Sequence, residues 1–262
     1  CQRETPLVLP GISFPAAHHS VAVYPKSKQD VDKMSASLTR IAEEDPSLKI
    51  SREPNTGEVL LAGLGDVHLE VTEEKIKRKF GIDLILQTPK IPYKETITMP
   101  TKVEYKHKKQ TGGHGQFAHV VIEIEPLEPG QGFEFVDKIR GGDIPREFIP
   151  SVEKGVRGAL TAGVLAGFPL VDLKVTLVDG NFHPVDSSDM AFQMAGAMAL
   201  REGAKKGKPV LLEPVMNLEI ITPGEFLGDI LGDVTARRGH IKGFEGRGDI
   251  QTVKAFVPLS EC

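Results

Sequence analysis

Apolar and polar positions alternate on both sides of a glycine-rich centre between Lys106 and Val121. On its left, Val103 and Tyr105 alternate with Lys102, Glu104 and Lys106, and on its right an apolar run starts at Phe117 and continues through Ile124. A period of two flanking glycines predicts two strands joined by an exposed loop. Gly112, Gly113 and Gly115 would let that loop take positive φ or approach a partner closely. Upstream, the pattern predicts strands over 21–24, 48–51, 58–62 and 82–86. A helix opened by Ser27 and stopped by Pro46 carries Val31, Met34, Leu38 and Ile41 on one face. A second helix over 66–80 carries Leu69, Ile76 and Phe80, with Gly81 where a C′ glycine belongs. The order β-α-β-β-α-β is the split βαβ, or ferredoxin-like, arrangement.

After Pro89, Pro92 and Pro100 a second unit holds the hairpin, a strand over 133–139, a helix over 145–166 and a strand over 170–178. The loop from Asp179 to Asp186 leads to a helix opened by Ser187 or Ser188. Its buried face is predicted to be Met190, Met194, Ala197 and Met198, a core row. A third unit begins near Leu211, with a strand over 215–221 and a capping box, Thr222-Pro-Gly-Glu225, that puts Pro223 at the first helical position. Leu227, Ile230, Leu231 and Val234 form the helix face, and strands follow over 240–244 and 250–257. This repeats the first half of the opening unit, so further residues after Cys262 are expected to complete it. The chain thus reads as α+β with domains over 1–90, 91–210 and 211–262, the third an incomplete ferredoxin-like domain.

Composition narrows the function. No apolar run approaches a membrane span, and no charged-then-apolar leader opens the chain. The cysteines are Cys1 and Cys262 alone. That is neither a disulfide framework nor a metal spacing, and the chain reads as cytoplasmic. The net charge of −4 excludes a globally basic nucleic-acid binder. Two local patches differ. Lys102, Lys106, Lys108 and Lys109 stand against Glu104, and Arg237, Arg238, Lys242 and Arg247 against Glu245. Two such patches on an acidic chain suggest a partner with extended phosphates.

No Gly-x-x-x-x-Gly-Lys-Ser/Thr is present, and Gly207-Lys208-Pro209 has the wrong spacing. Gly112-Gly113-His114-Gly115 precedes a strand and not a helix, which excludes a dinucleotide fingerprint. His183, Asp186 and Asp189 could be metal ligands of a hydrolase, but Asp186, Ser187 and Ser188 are better explained as helix caps. His183 sits between Phe182 and Pro184, where packing gives no reason for it. A small-molecule regulatory module is the other reading outside nucleic-acid binding.

Several blocks carry a resemblance. Lys109-Gln-Thr-Gly-Gly-His-Gly-Gln-Phe-Ala-His-Val-Val, Phe182-His-Pro-Val-Asp-Ser-Ser-Asp, Lys208-Pro-Val-Leu-Leu-Glu-Pro-Val-Met and Gly232-Asp-Val-Thr-Ala-Arg-Arg-Gly closely resemble elongation factor G. Pro25-Lys-Ser-Lys, Leu38-Thr-Arg-Ile-Ala-Glu-Glu-Asp-Pro-Ser and Ala62-Gly-Leu-Gly-Asp-Val-His-Leu-Glu resemble its third domain. The resemblance covers essentially the whole chain, as domains III, IV and the first half of V. It implies a ribosomal-protein-like α+β fold for the middle domain, between two ferredoxin-like ones. It implies no enzyme and no cofactor in this stretch, with GTP and Mg²⁺ bound by a GTPase domain before Cys1. The implied partner is the ribosome, met as a monomer: the small-subunit decoding site, tRNA, mRNA and large-subunit rRNA near the GTPase-associated centre.

The tip loops implied are Gln110, Thr111, Gly112, Gly113, His114, Gly115 and Gln116 on one side, and Asn181, His183, Pro184, Asp186 and Ser188 on the other. Arg237, Arg238 and Lys242 would face rRNA. Three residues depart from the common form: His114 where Arg is usual, Pro184 where Asp is usual and Ala118 where Gly is usual. The first turns a permanent cation into a titratable group. The family also includes forms for ribosome recycling and ribosome protection, an alternative to translocation.

Overall fold

The computed structural model describes residues 14–109, 115–140 and 143–262. The chain divides into two compact units, with the boundary between Pro92 and Tyr93.

The first unit runs β1 (His19–Pro25), α1 (Val31–Glu44), β2 (Lys49–Arg52), β3 (Val59–Gly63), α2 (Asp66–Phe80) and β4 (Leu84–Gln87). Its strands pair antiparallel in the order β2-β3-β1-β4. Met34, Leu38 and Ile41 of α1 and Leu69 and Ile76 of α2 pack with Val23, Leu61 and Leu84 of the sheet. Val31, expected on the buried face, is 47% exposed because the helix starts there. Ser27 caps a single 3-10 turn, Lys28–Asp30, ahead of α1. Gly81 takes φ 68° and its N–H closes onto the Lys77 carbonyl, ending α2 as its position predicts.

The second unit contains β5 (Lys94–Ile97), β6 (Thr101–Lys109), β7 (Gln116–Pro126), β8 (Phe133–Asp137), α3 (Ile149–Leu160), β9 (Leu173–Asn181), α4 (Asp189–Lys206) and β10 (Pro209–Leu212). It continues through β11 (Val215–Pro223), α5 (Leu227–Ala236), β12 (His240–Arg247) and β13 (Ile250–Pro258). One sheet has the order β6-β7-β9-β8, with β8 and β9 parallel and the other pairs antiparallel. α3 and α4 cover it, burying Val152, Val156, Phe192, Ala195, Ala199 and Leu200 against Val120, Ile122, Val175 and Leu177.

The methionine row is a correction. α4 buries Ala191, Phe192, Ala195, Gly196, Ala199, Leu200, Gly203 and Ala204, whereas Met190 is 66% exposed and Met194 47%. The two rows share one helical period and differ by a single residue of phase, so periodicity alone cannot choose between them. Close approach decides. A Cβ on Gly155 of α3 would lie 2.0 Å from the Gln193 carbonyl oxygen, and one on Gly196 would lie 2.7 Å from that of Val152. Helices this near each other accept glycine and alanine between them, and a methionine row does not fit.

The helix predicted over 145–166 is also shorter, a 3-10 turn at Arg146–Phe148 followed by α3. Glu95, fully buried on β5, explains its end. Its carboxylate accepts the N–H groups of Val164 (2.6 Å), Leu165 (2.9 Å), Ala166 (2.7 Å) and Phe168 (3.1 Å). Those amides are thereby withdrawn from an α-helical ladder. Burial pushes the Glu95 carboxyl up, but the four N–H bonds together outweigh it and hold the group below its usual value of 4.5. The start of β9 shifts for a related reason. Asp172 takes φ 57° and its Oδ1 accepts from Gly130 at 3.1 Å and Gly132 at 2.7 Å.

A separate three-stranded sheet, β11-β13-β12, packs Val253, Ala255 and Val257 on its inner positions, and Val234 of α5 joins the last two in a small core. The capping box at Thr222 does not form. A 3-10 turn, Gly224–Phe226, precedes α5, Phe226 is the N-cap, and no side chain caps it. Pro223 is the N-cap of that turn, φ −58° and ψ 146°, and not the first helical residue the box places it at.

Candidate functional site

The site is built by strand register. Pairing of Lys109 with Gln116 carries β6 and β7 out to the glycine loop, and pairing of His119 with Asn181 brings the end of β9 beside the start of β7. The loop from Phe182 to Ser188 therefore lies against Gly115–Phe117. Gln110, Thr111, Gly112, Gly113 and His114 lie outside the described residues.

Hydrogen bonds staple the two loops together. Gly115 N–H donates to Asp186 Oδ1 (3.0 Å), Phe117 N–H donates to the Asp186 carbonyl (2.8 Å), and Ser187 Oγ–H donates to the Phe117 carbonyl (2.8 Å). A Cβ on Gly115 would sit 3.0 Å from the Asp186 carboxylate carbon, so glycine allows this close approach. Ser187 Oγ also accepts from His183 N–H at 2.9 Å, and His183 Nδ1 accepts from Val185 N–H (3.3 Å) and Asp186 N–H (3.2 Å). Ser188 is the true cap of α4, accepting from Ala191 N–H at 3.3 Å. The expectation that Asp186 and Ser187 are also helix caps is corrected: both bind the opposite loop.

The surface has a distinct side-chain order. His183, half exposed, lies 6.2 Å from the Phe117 ring, and Lys106 Nζ lies 5.3 Å from that ring. Gln116 is held by His107, with Nε2 and Oε1 3.1 Å apart. Lys102 pairs with Glu123, but among the described residues Lys106, Lys108 and Lys109 form no ion pair. The local positive charge is thus supplied by those three. Phe117, expected as a strand start, and Ser187, expected as a helix cap, join the site, as does His107. Cross-strand pairing of His107 with Ala118 and of Lys108 with Phe117 places two of them, and Ser187 is placed by its bond to the Phe117 carbonyl.

The three residues weighed as metal ligands do not converge. His183 Nδ1 is 3.6 Å from Asp186 Oδ2, while Asp189 accepts from Ser151 Oγ–H at 2.6 Å. Among the described residues no group of three or more His, Cys, Asp or Glu is placed to hold a metal. No helix among them is long and apolar enough to cross a membrane.

The second basic patch is largely committed within the molecule. Arg238 reaches both carboxylate oxygens of Glu213 (2.9 and 3.1 Å) and also Glu261 (3.1 Å). Arg237 bonds Asp233 (2.9 Å) and the Glu261 carbonyl (2.7 Å), and Lys242 Nζ stands 3.7 Å from the centre of the Phe256 ring.

The loop after β9 is thus tied to the start of β7, with Lys106, Lys108 and Lys109 on the neighbouring strand. Residues 14–88 match Elongation Factor G, domain III, residues 89–208 match Elongation factor G, domain IV, and residues 210–262 match the Elongation factor G C-terminus. The chain belongs to the elongation factor G family. A crystal structure from Thermus thermophilus is similar over 96% of this chain, with 41% identity and a TM-score of 0.85. The match covers 38% of that longer chain. The matched domains contain no GTPase module.

Proposed function

We propose that this chain is the ribosome-engaging part of a factor-G-type translational GTPase, converting GTP hydrolysis elsewhere in the factor into movement of tRNA and mRNA. The observation that carries the reading is the stapled tip. Asp186 and Ser187 tie the loop after β9 to Gly115 and Phe117, with His183 half exposed and Lys106, Lys108 and Lys109 on the neighbouring strand. Such a surface suits a crowded, phosphate-rich site. It acts by occupancy and hydrogen bonding, not by acid–base chemistry.

The supporting fold reading is ferredoxin-like for 1–90, from its strand order and antiparallel pairing. For 91–210 it is ribosomal-protein-like, and for 211–262 it is the first part of a second ferredoxin-like domain. Arg237, Arg238 and Lys242 are assigned to the large-subunit rRNA side. For Arg238 that contact requires exchange of its Glu213 and Glu261 partners for phosphate. The cell compartment is the cytoplasm, where ribosomes work.

The test is His183→Ala in the full-length factor. Single-turnover translocation is expected to slow about tenfold, the size of one lost hydrogen bond to a charged or well-oriented partner, while ribosome-stimulated GTP hydrolysis stays nearly unchanged. Equal loss of both rates, or of neither, contradicts the role.

A further inference from the structure

The loop after β9 contains an isolated α-turn. Ser187 N–H closes onto the His183 carbonyl at 3.1 Å, and Pro184, Val185 and Asp186 form the turn between them. His183 Nδ1 accepts from the N–H groups of Val185 and Asp186, the second and third residues of that turn. This is the bonding an N-cap side chain makes at the start of a helix. Pro184 occupies the first position, where a missing N–H leaves nothing unsatisfied and φ is already set. The usual Asp at that position is therefore replaceable without loss of the turn.

The capping bonds decide where the imidazole proton is. Nδ1 faces two N–H donors at 3.3 and 3.2 Å, both nearer than Asp186 Oδ2 at 3.6 Å, which is beyond hydrogen-bond reach; Nδ1 is therefore the acceptor, and in the neutral ring the proton sits on Nε2. A flipped ring would turn a carbon toward both amides and leave them without acceptors. Nε2 has no hydrogen-bond partner among the described residues, and the side chain is 51% exposed.

We propose that this capping sets the recognition chemistry of the tip: Nδ1 is used within the loop, and Nε2–H is held outward as a directed donor to an oxygen acceptor of RNA. The inference rests on the reading that the tip meets RNA, and it adds the atom and the direction of the bond. Asp186 and Ser187 are positioning residues here. Asp186 fixes the turn to Gly115, and Ser187 fixes it to Phe117. Neither needs to touch RNA.

Two variants separate capping from contact. Asn is a strong N-cap, so His183→Asn keeps the turn while removing the donor at Nε2. His183→Ala removes both. The thermal midpoint of His183→Asn is expected to equal that of the parent and that of His183→Ala to fall. Translocation by the full-length factor on purified ribosomes is expected to slow about tenfold in both. A His183→Asn factor that translocates at the parent rate would overturn the proposal, because capping alone would then suffice. Independently, a long-range proton–nitrogen spectrum of the histidine-labelled chain is expected to show His183 Nδ1 without a proton. A proton on Nδ1 would overturn the capping itself, whatever the ribosome assay returns. An unprotonated Nδ1 with no translocation effect in either variant would overturn the contact with RNA and, with it, the functional reading it rests on.

Discussion

Glu95→Ala is expected to destabilise the second unit by about 3 kcal/mol, because it leaves four part-buried N–H groups without their shared acceptor. The loss has a local signature. Amides 164–166 and 168 should lose protection in hydrogen exchange before the sheet does, since they bond to the carboxylate and not to a helix. A pH dependence follows from the lowered carboxyl. Its folded value lies below the usual 4.5, so its stabilisation is complete above that value and is lost as pH falls below it toward the folded value. Urea unfolding at neutral pH and in that acid range measures both. The parent should lose more stability on acidification than Glu95→Ala. Equal acid sensitivity in the two would show that Glu95 does not titrate against folding.

The second large effect is expected at Gly155. An added Cβ would meet the Gln193 carbonyl oxygen at 2.0 Å and two further Gln193 backbone atoms within 2.8 Å, so α3 and α4 must separate. Gly155→Ala is expected to cost about 3 kcal/mol, the upper range for overpacking. A neighbouring side-chain tip could rotate away, but a helix backbone cannot. The displacement also reaches the site, because α4 begins at Asp189, directly after the loop that carries His183. Urea unfolding checks the energy, and amide shifts over 182–188 check the movement. Gly158→Ala is the control, because nothing lies within 4 Å of its Cβ position.

The legible parts of the fold were those decided by local chemistry. α2 lies at its expected residues because a stripe and a C′ glycine agree, and the hairpin arms follow from alternation. The misread parts were decided by partners distant in sequence. The end of α3 depends on Glu95 about seventy positions upstream. The buried row of α4 depends on glycines that bring it against α3. At Thr222 the residues of a capping box are present, but a 3-10 turn precedes α5 and no side chain caps it. At the tip, His183 and Asp186 were legible as candidates from the family blocks. Their geometry was not, because it comes from the pairing of β7 with β9. The roles of Ser187 and Phe117 at the tip likewise came from that pairing and not from their sequence positions.

The tip's placement on the ribosome is the central claim. A photo-crosslinking amino acid at Val185, which is 63% exposed and two residues from His183, tests it in the full-length factor held on the ribosome by a non-hydrolysable GTP analogue. Crosslinks to small-subunit RNA, tRNA or mRNA are the expected result. Crosslinks confined to the large subunit, or a yield no higher than without ribosomes, would contradict it.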